Sequence, residues 1–455
     1  MKNSIAGKAA TWVHGLTYES LPQPVVEMAK ICFLDWLGAA IGGSCTAEAV
    51  AVAQATKSMG NEGVATLIGF GKRSGLLRAA LVNGTSSHAL ETDDGYKPAL
   101  YHPGGPVFSA ALPAAEDRNI SGTKFLAAAV AGYEIGIRVG LSVNPSHYRY
   151  WHTTGTAGHF AAAAAAGKTM DLPALSIMHG LGTAGTQAAG LWEFQNDDAM
   201  SKPLHVGKAA LDGLLSALLA ESGFSGSATI FEGERGFCRA MSLDPSPELI
   251  IKNLGEEYLM LGVTIKNYSS CGHTHTAIEA ALSIAADDEF NPGEISKIVV
   301  RTNSVASKIA GNRDPKTISQ AKFSMQYCVA LALTGRAVGL NDFNEENLKD
   351  PVLRSIASRV QLVVDPEFDE CFKSARPTVL EVTMNDGKTW RKREDYCKGT
   401  PEKPLTREEV ETKFCHIVGT ILPAERVLSI LELCRHLERV SDMAQMSRLL
   451  LREGD

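Results

Sequence analysis

The chain has no closely paired cysteines. Its nine cysteines are scattered singly over 455 residues and form no CxxC motif. An odd number of isolated cysteines argues against a disulfide framework, and the missing pairs argue against the common structural zinc sites. We therefore expect reduced thiols and a cytoplasmic protein.

Long basic runs and apolar runs of membrane-spanning length are also missing. Acidic residues number 51 against 44 basic ones, a formal net charge of -7, which argues against a nucleic-acid surface. Apolar segments such as 125–131 and 160–166 are far shorter than a bilayer requires, and the N-terminus lacks a signal-peptide core. We expect a soluble globular protein that binds neither nucleic acid nor membrane.

Common catalytic motifs are either missing from the sequence or lie in the wrong structural context. The motifs HExxH and GxSxG are missing, which argues against zinc-peptidase and serine-hydrolase chemistry. A GxGxxG pattern at Gly180, Gly182 and Gly185 falls inside a predicted helix with no strand before it. Close helix packing explains these glycines better than dinucleotide binding does.

Helical periodicity dominates the first 264 residues. Apolar side chains recur every three to four positions, as in Val25, Ala29, Cys32 and Trp36. Further helical patterns cover 125–139, 158–166, 175–189 and 209–219, and many small residues favour close helix packing. The sequence therefore predicts a mainly α fold with a large all-helical domain over residues 1–264.

The pattern changes after about residue 262. Short β-rich runs occupy 297–301 and 360–364, and an Asp386-Gly387 turn between alternating segments predicts a hairpin over 379–393. Helical patterns cover 320–333 and 344–357. We expect a smaller α+β lid domain at 265–400, and C-terminal helices at 401–455 that pack back on the helical domain. A cleft between two domains is a common place for a ligand.

Polar side chains are concentrated in the predicted loop at 88–105. His88, Glu91, Asp93, Asp94 and His102 lie there between two helical runs. A loop held by rigid helices suits catalytic proton donors and acceptors. A solvated loop without function is the alternative.

Two further clusters lie at predicted helix starts. His152 precedes several threonines, an arrangement typical of either anion binding or simple N-capping. Lys202 and His205 come shortly before a predicted helix, with Lys208 in its first turn. Cations at a helix N-terminus oppose the dipole, so they indicate a bound anion or an acidic partner.

A fourth cluster lies at the predicted domain boundary. Cys271, His273 and His275 match no standard zinc spacing, so we predict no metal there. Together with Lys266 and Tyr268, the histidines fit proton transfer on a carboxylate substrate better.

Taken in order, these clusters resemble the MmgE/PrpD family, which includes 2-methylcitrate dehydratases, cis-aconitate decarboxylases and iminodisuccinate epimerases. The similarity covers nearly the whole chain. It is carried by Asp-Trp-Leu-Gly-Ala-Ala-Ile-Gly-Gly at 35–43 and by the segments 79–90, 93–94, 102–104, 151–156, 202–207, the segment beginning at Lys266, 321–327, 399–406 and Lys413-Phe414.

The resemblance implies a helical domain with an α+β lid, a homodimer, no metal or organic cofactor, and a small di- or tricarboxylate substrate. By position, His102, His152, Lys202 and Lys266 match active-site residues of the family.

Three positions depart from the family pattern. Glu91 stands where the family usually has Asp, and Gly95 where Thr is frequent. Cys271 falls where the decarboxylases carry a catalytic His. These departures weigh against cis-aconitate decarboxylation.

The common chemistry of the family is formation or quenching of a carbanion beside a carboxylate. We expect proton transfer by Lys266 and His152, carboxylate anchoring by His102 and Lys202, and orientation of a histidine by Glu91 or Asp94. The remaining predicted substrate-binding residues are His205, Tyr268, His273 and His275.

The leading prediction is a hydro-lyase acting on a 2-methylcitrate-like or citrate-like acid. The alternatives are an epimerase or decarboxylase on a related carboxylate, and a non-catalytic carboxylate-binding homologue.

Overall fold

The structure, a computed structural model, describes residues 3–60, 62–197, 199–371 and 375–451. It divides the chain into two units. Unit 1 runs to Ile265 and resumes at Thr406, and unit 2 extends from Lys266 to Leu405. The sequence placed the corresponding boundaries at 264/265 and 400/401.

The N-terminal part of unit 1 is helical, as its periodicity predicts. Helix α6 alone accounts for 22 residues, and the predicted run at 125–139 falls inside it. The helices are α1 (Ile5–Gly15), α2 (Gln23–Gly43), α3 (Ala47–Ala55), α4 (Leu76–Ala89), α5 (Gly104–Arg118), α6 (Gly122–Val143), α7 (Thr153–Thr169), α8 (Ala174–Gly185), α9 (Phe194–Asp197), α10 (Ser201–Glu221) and α11 (Phe237–Met241).

A short hairpin interrupts this helical region. Strands β1 (Ala65–Leu67) and β2 (Lys72–Ser74) pair antiparallel. The turn between them contains Gly69 and Gly71 with φ values of 77° and 65°, a conformation that glycine adopts at little cost. The sequence analysis did not predict these strands, because three residues are too few to show an alternating pattern.

Glycines let the central helices of unit 1 approach closely. A Cβ atom added at Gly84 of α4 would lie 2.7 Å from the Cα of Gly207 in α10. A Cβ added at Gly213 of α10 would lie 2.3 Å from the Cβ of Ala162 in α7. Such contacts are too short for any larger side chain, so α4, α7 and α10 pack backbone against backbone. The ends of these three helices carry most of the polar residues considered below.

The GxGxxG pattern also serves packing. A Cβ at Gly182 of α8 would lie 2.5 Å from the backbone of Ser227, and one at Gly185 would lie 2.7 Å from the ring of Phe160. The packing interpretation of these glycines is confirmed. Among the described residues, α6 is the one helix long and apolar enough to cross a membrane, but 94% of its apolar segment is buried, as in a core helix.

Unit 2 is an α+β unit. Its four-stranded sheet has the order β4-β3-β5-β6, in which β3 and β4 are parallel and the other pairs antiparallel. The predicted strands and the hairpin around Gly387 are confirmed. The strands are β3 (Ile295–Thr302), β4 (Val360–Val364), β5 (Thr378–Met384) and β6 (Thr389–Glu394), and the helices are α12 (His275–Ala285), α13 (Ser304–Ile309), α14 (Ile318–Lys322), α15 (Met325–Leu333), α16 (Glu345–Lys349), α17 (Pro351–Ser358) and α18 (Pro366–Glu370).

Two predicted helices of unit 2 are each divided in the structure. Ser324 separates α14 from α15, and its hydroxyl accepts a hydrogen bond from the backbone N–H of Tyr327 as an N-cap. Asp350 separates α16 from α17 in the same way, with Pro351 as the first residue of the new helix. Capping residues and proline therefore outweighed the continuous apolar pattern.

The chain after Thr406 returns to unit 1 as α19 (Arg407–Val418), α20 (Ala424–Arg435) and α21 (Ala444–Leu450). A capping box between Thr406 and Glu409 begins α19. Phe414 of α19 packs against Gly38 of α2, where an added Cβ would lie 3.1 Å from its ring. This contact places α19 beside the helix that carries Asp35.

Candidate active site

Three helix ends and one loop meet in unit 1. His88 lies in the last turn of α4, His152 is the N-cap of α7, and Lys202 and His205 lie in the first turns of α10. The loop from 90 to 103 joins α4 to α5 and adds acidic side chains. The polar residues thus come from four separate stretches of sequence.

A carboxylate orients the first histidine of this cluster. Nδ1 of His88 lies 2.7 Å from Oδ2 of Asp93, and both residues are buried. Nδ1 of His102 lies 3.5 Å from the same oxygen and 2.6 Å from the backbone carbonyl of Asp94, to which it donates. Within the described residues, Nε2 of His88 has no hydrogen-bond partner. The contacts through Nδ1 therefore leave Nε2 of His88 for other chemistry.

His152 is a buried and neutral histidine. Its ring stacks on that of His88 with centroids 5.5 Å apart, and its Nδ1 lies 3.3 Å from Nδ1 of His205. Burial lowers the pKa of His152 well below 6.5, and the neighbouring histidines and Lys202 lower it further. The pKa of His205 falls to about 4, again chiefly through burial. Nε2 of His152 has no hydrogen-bond partner in the described part of the chain. A neutral imidazole of this kind can accept a proton.

Lys202 forms a buried ion pair with Glu91. The expectation that Lys202 and His205 precede their helix is wrong, because α10 already begins at Ser201. Proline at position 203 starts this helix earlier than the apolar pattern indicated, since proline is favoured in a first helical turn. Lys202 therefore opposes the helix dipole, and Glu91 offsets its charge. Glu91 adopts a left-handed backbone conformation with φ of 59°.

Asp94 plays a different part from the one expected. Its Oδ2 accepts a hydrogen bond of 2.7 Å from the Tyr133 hydroxyl, and its Oδ1 accepts one of 3.0 Å from the backbone N–H of Gly104. Burial raises its pKa to about 7, and the nearby carboxylates act in the same direction. The carboxylate that orients a histidine is that of Asp93, which holds His88, whereas Asp94 orients His102 through its backbone carbonyl. Glu91 pairs with a lysine instead, and the side chain of Asp94 anchors the start of α5.

The threonines after His152 do not cap α7 through their hydroxyls. The N-cap is His152, without a side-chain cap, and Thr154 lies in the first turn. The hydroxyl of Thr154 accepts a hydrogen bond of 3.1 Å from the backbone N–H of His102, so it ties the loop to α7. Positive partial charge at the N-terminus of α7 favours an anion beside His152.

Aromatic rings cover the histidines on one side. The ring of Trp192 lies 5.0 Å from that of His152, and the ring of Phe194 lies 5.7 Å from that of His205, between centroids. The Trp192 indole N–H donates to the carbonyl of Trp151 at 3.0 Å. Sequence reasoning missed Trp192, because its chain segment shows no motif.

Sequence reasoning also left His88 and Asp93 outside the predicted site, although both belong to the polar segment at 88–105. The signal that was available is their spacing. His88 lies at the end of a helix and Asp93 follows five residues later, so a turn between them can bring the two side chains together.

The remaining predicted residues lie in unit 2, at the start of α12. Lys266, Tyr268, His273 and His275 are all buried. The Tyr268 hydroxyl donates to Oε1 of Glu279 at 2.7 Å, which raises its pKa beyond the effect of burial alone. A phenol has one proton, so Tyr268 does not donate to a substrate while this bond persists, and its substrate-binding role stays a prediction. Nε2 of His275 lies 3.1 Å from the carbonyl of Ser270 and donates to it.

One group in unit 1 has the composition of a metal site. His88, Asp93 and His102 each offer a ligand atom, and these atoms lie within 4.8 Å of one another. However, Nδ1 of His102 donates to a backbone carbonyl 2.6 Å away, so it already carries a proton. The geometry fits two oriented histidines, His88 held by Asp93 and His102 held by that carbonyl, better than a set of metal ligands.

Comparison with known proteins places this site in a family. Residues 7–250 match the MmgE/PrpD N-terminal domain, and residues 268–438 match the MmgE/PrpD C-terminal domain. The chain belongs to the MmgE/PrpD family. The resemblance drawn from the sequence motifs is thereby confirmed.

Several MmgE/PrpD relatives extend over the full chain. It is 27% identical to a cis-aconitate decarboxylase of Aspergillus terreus, over 99% of this chain and 96% of that protein. It is 28% identical to the cis-aconitate decarboxylase of Homo sapiens, over 99% and 95%. A 2-methylcitrate dehydratase-like protein of Aspergillus oryzae is 28% identical, but over only 38% of each chain.

Proposed function

We propose that this protein is a lyase that acts on a small di- or tricarboxylic acid. The observation that supports this most is the buried neutral His152 at the N-terminus of α7, next to the cation of Lys202. A carboxylate substrate needs positive charge for binding, and carbanion chemistry beside that carboxylate needs an unprotonated base, such as a neutral imidazole. Both features occur together here. The relatives named as decarboxylases and dehydratases support the same class of reaction.

In the proposed reaction, Lys202 binds one carboxylate of the substrate. Nε2 of His152 removes a proton from the adjacent carbon, and the negative charge that develops is stabilised by Lys202 and the first N–H groups of α7. The acid is His88, which Asp93 orients, or its neighbour His102, which the backbone carbonyl of Asp94 orients; it donates a proton to the leaving group. Lys266 in unit 2 stays a predicted proton-transfer residue.

Dehydration of a 2-methylcitrate-like or citrate-like acid is our first choice. Loss of water needs a base and a separate acid, and unit 1 has the neutral His152 and the carboxylate-oriented His88 for these roles. Decarboxylation of a cis-aconitate-like acid is the second candidate. It is favoured by the relatives that match over the full chain, and it is disfavoured by Cys271, which replaces the expected histidine.

The test is incubation of the purified protein with di- and tricarboxylates in deuterated water, followed by proton NMR. Loss of water supports dehydration, and loss of carbon dioxide supports decarboxylation. Deuterium exchange without net conversion indicates an epimerase. Binding without any of these changes would overturn the enzymatic proposal in favour of a carboxylate-binding protein. We expect EDTA to leave turnover intact, whereas its loss would reassign the group of His88, Asp93 and His102 as a metal site.

A further inference from the structure

Four consecutive loop residues are each held by a different helix. The stretch from Glu91 to Asp94 is fully buried, although it lies outside any helix or strand. Each residue uses a different group and contacts a different partner. The contacts are Glu91 to Lys202 of α10, the Thr92 carbonyl to Lys413 of α19, Asp93 to His88 of α4, and Asp94 to Tyr133 of α6.

Lys413 is the one partner in this set that lies outside the proposed reaction and far away in sequence. Its Nζ lies 2.6 Å from the carbonyl oxygen of Thr92 and 2.6 Å from Oδ1 of Asp35 in α2. The side chain of Asp35 is completely buried, and that of Lys413 is 13% exposed. A buried carboxylate requires a cation, so Asp35 holds the lysine in the position from which it reaches Thr92.

We propose that Lys413 is a positioning residue for the active-site loop. The peptide of Thr92 lies between Glu91, which pairs with Lys202, and Asp93, which orients His88. Rotation of that peptide would move both carboxylates away from their partners. Glu91 has a φ of 59°, a left-handed conformation that is strained for a residue other than glycine. A fixed carbonyl on the next residue keeps the loop from relaxing out of this conformation.

The chain offers a matched control in Lys30. This lysine lies in α2 and, like the pair of Asp35 and Lys413, links α2 to the C-terminal segment, since its Nζ is 2.7 Å from Oε2 of Glu438. Its side chain is 5% exposed, and its second partner is Glu27 in the same helix at 3.0 Å. None of these contacts involves a residue of the 88–105 loop. Lys30→Met therefore removes a buried lysine that links α2 to the C-terminal segment without touching the loop, and its carboxylate partners are more exposed than Asp35.

The experiment compares Lys413→Met and Lys30→Met in the full-length protein, with the substrate found in the deuterium assay. Both variants should melt at a lower temperature, Lys413→Met more so because it leaves the fully buried Asp35 without its cation, and activity is therefore compared per folded molecule. For Lys413→Met, kcat/KM should fall about 10- to 100-fold, as for a small misplacement of catalytic groups, while Lys30→Met stays close to the wild type. Lys413→Arg, which keeps the cation, should recover most of the activity. Equal activity losses in the two methionine variants would overturn the proposal.

The comparison of activities rests on the proposed function. A second measurement is therefore needed that does not depend on turnover. In protein labelled with 15N-histidine, the Nδ1 proton shared by His88 and Asp93 should resonate far downfield. We expect this signal to shift or vanish in Lys413→Met and to remain in Lys30→Met. Lack of turnover in the wild type would overturn the proposed function alone, and an unchanged signal in Lys413→Met would overturn the positioning role. If Lys413→Met does not fold, Lys413→Gln replaces it, with the same signal as the criterion.

Discussion

Two polar segments of this chain have similar compositions but different surroundings. Residues 88–105 in unit 1 and residues 266–275 in unit 2 both combine histidines with a lysine and tyrosine. In unit 1, histidine rings contact one another and a carboxylate. In unit 2, the hydrogen bonds of Tyr268 and His275 run to a nearby glutamate and a backbone carbonyl. Similar residue types thus make a charged cluster in one region and support a helix start in the other.

The difference follows from how far apart in the sequence the contacting residues lie. His275 bonds to a carbonyl five residues away, and Tyr268 to a glutamate eleven residues away. By contrast, His152 and His205 are 53 residues apart, and Glu91 and Lys202 are 111 apart. Local contacts use the phenol proton of Tyr268 and the Nε2 proton of His275, whereas packing of helix ends creates the environment of His152.

The largest effect should come from His152→Gln. Loss of a general base typically costs about 10²- to 10⁴-fold in rate, so we expect a fall in kcat of that size. The control is His147→Gln. His147 is equally buried and has its pKa lowered to about 4 by burial, but both ring nitrogens are bonded, to the Met241 carbonyl and to Thr156. The site assignment would be wrong if the two variants had the same kcat per folded molecule.

Lys202→Met should destabilise the fold as well as weaken binding. It leaves the buried carboxylate of Glu91 without its cation, which costs about 3–5 kcal/mol in free energy of unfolding. The double variant with Glu91→Gln removes both charges and should regain most of that stability. Urea unfolding gives the stabilities, and KM or Kd for the acid should stay raised in both variants. A double variant that binds the acid normally would exclude Lys202 as the anchor.

Asp94→Asn should change how stability depends on pH. The pKa of Asp94 is raised from 3.8 to about 7 in the folded protein, so the wild type loses stability as pH rises through this range. Asparagine cannot ionise. The free energy of unfolding of the variant should therefore rise relative to that of the wild type between pH 4 and 7, by about 2–4 kcal/mol. Above pH 7 the difference should be constant. Parallel stability curves at all pH values would contradict the burial of an ionisable Asp94.

The smallest effect should come from Tyr268→Phe. The substitution removes one hydrogen bond to Glu279, whose Oε1 still accepts from the backbone N–H of Lys398 at 2.8 Å. We expect a loss of about 1 kcal/mol in free energy of unfolding and little change in KM. A large rise in KM would show that Tyr268 binds the substrate, and it would contradict the difference that we draw between the two segments.

Local patterns were sufficient for much of the fold. The alternating segments around Asp386-Gly387 predicted the hairpin, and helical periodicity predicted the N-terminal helices. The start of α10 was misplaced because its first turn is polar and carries no apolar pattern. The divided helices of unit 2 were missed because Ser324 and Asp350 act through caps, which periodicity does not reveal.

The sequence alone determined the family, the mainly α fold and the residue types available for chemistry. Their pairing was decided by tertiary structure. The sequence places Glu91, Asp93 and Asp94 in one polar segment, yet one pairs with a lysine, one orients a histidine and one accepts from a tyrosine. The reason is physical: the backbone direction of a buried loop and the close packing of helices through glycine set the partner of each side chain, and neither leaves a periodic signal in the sequence.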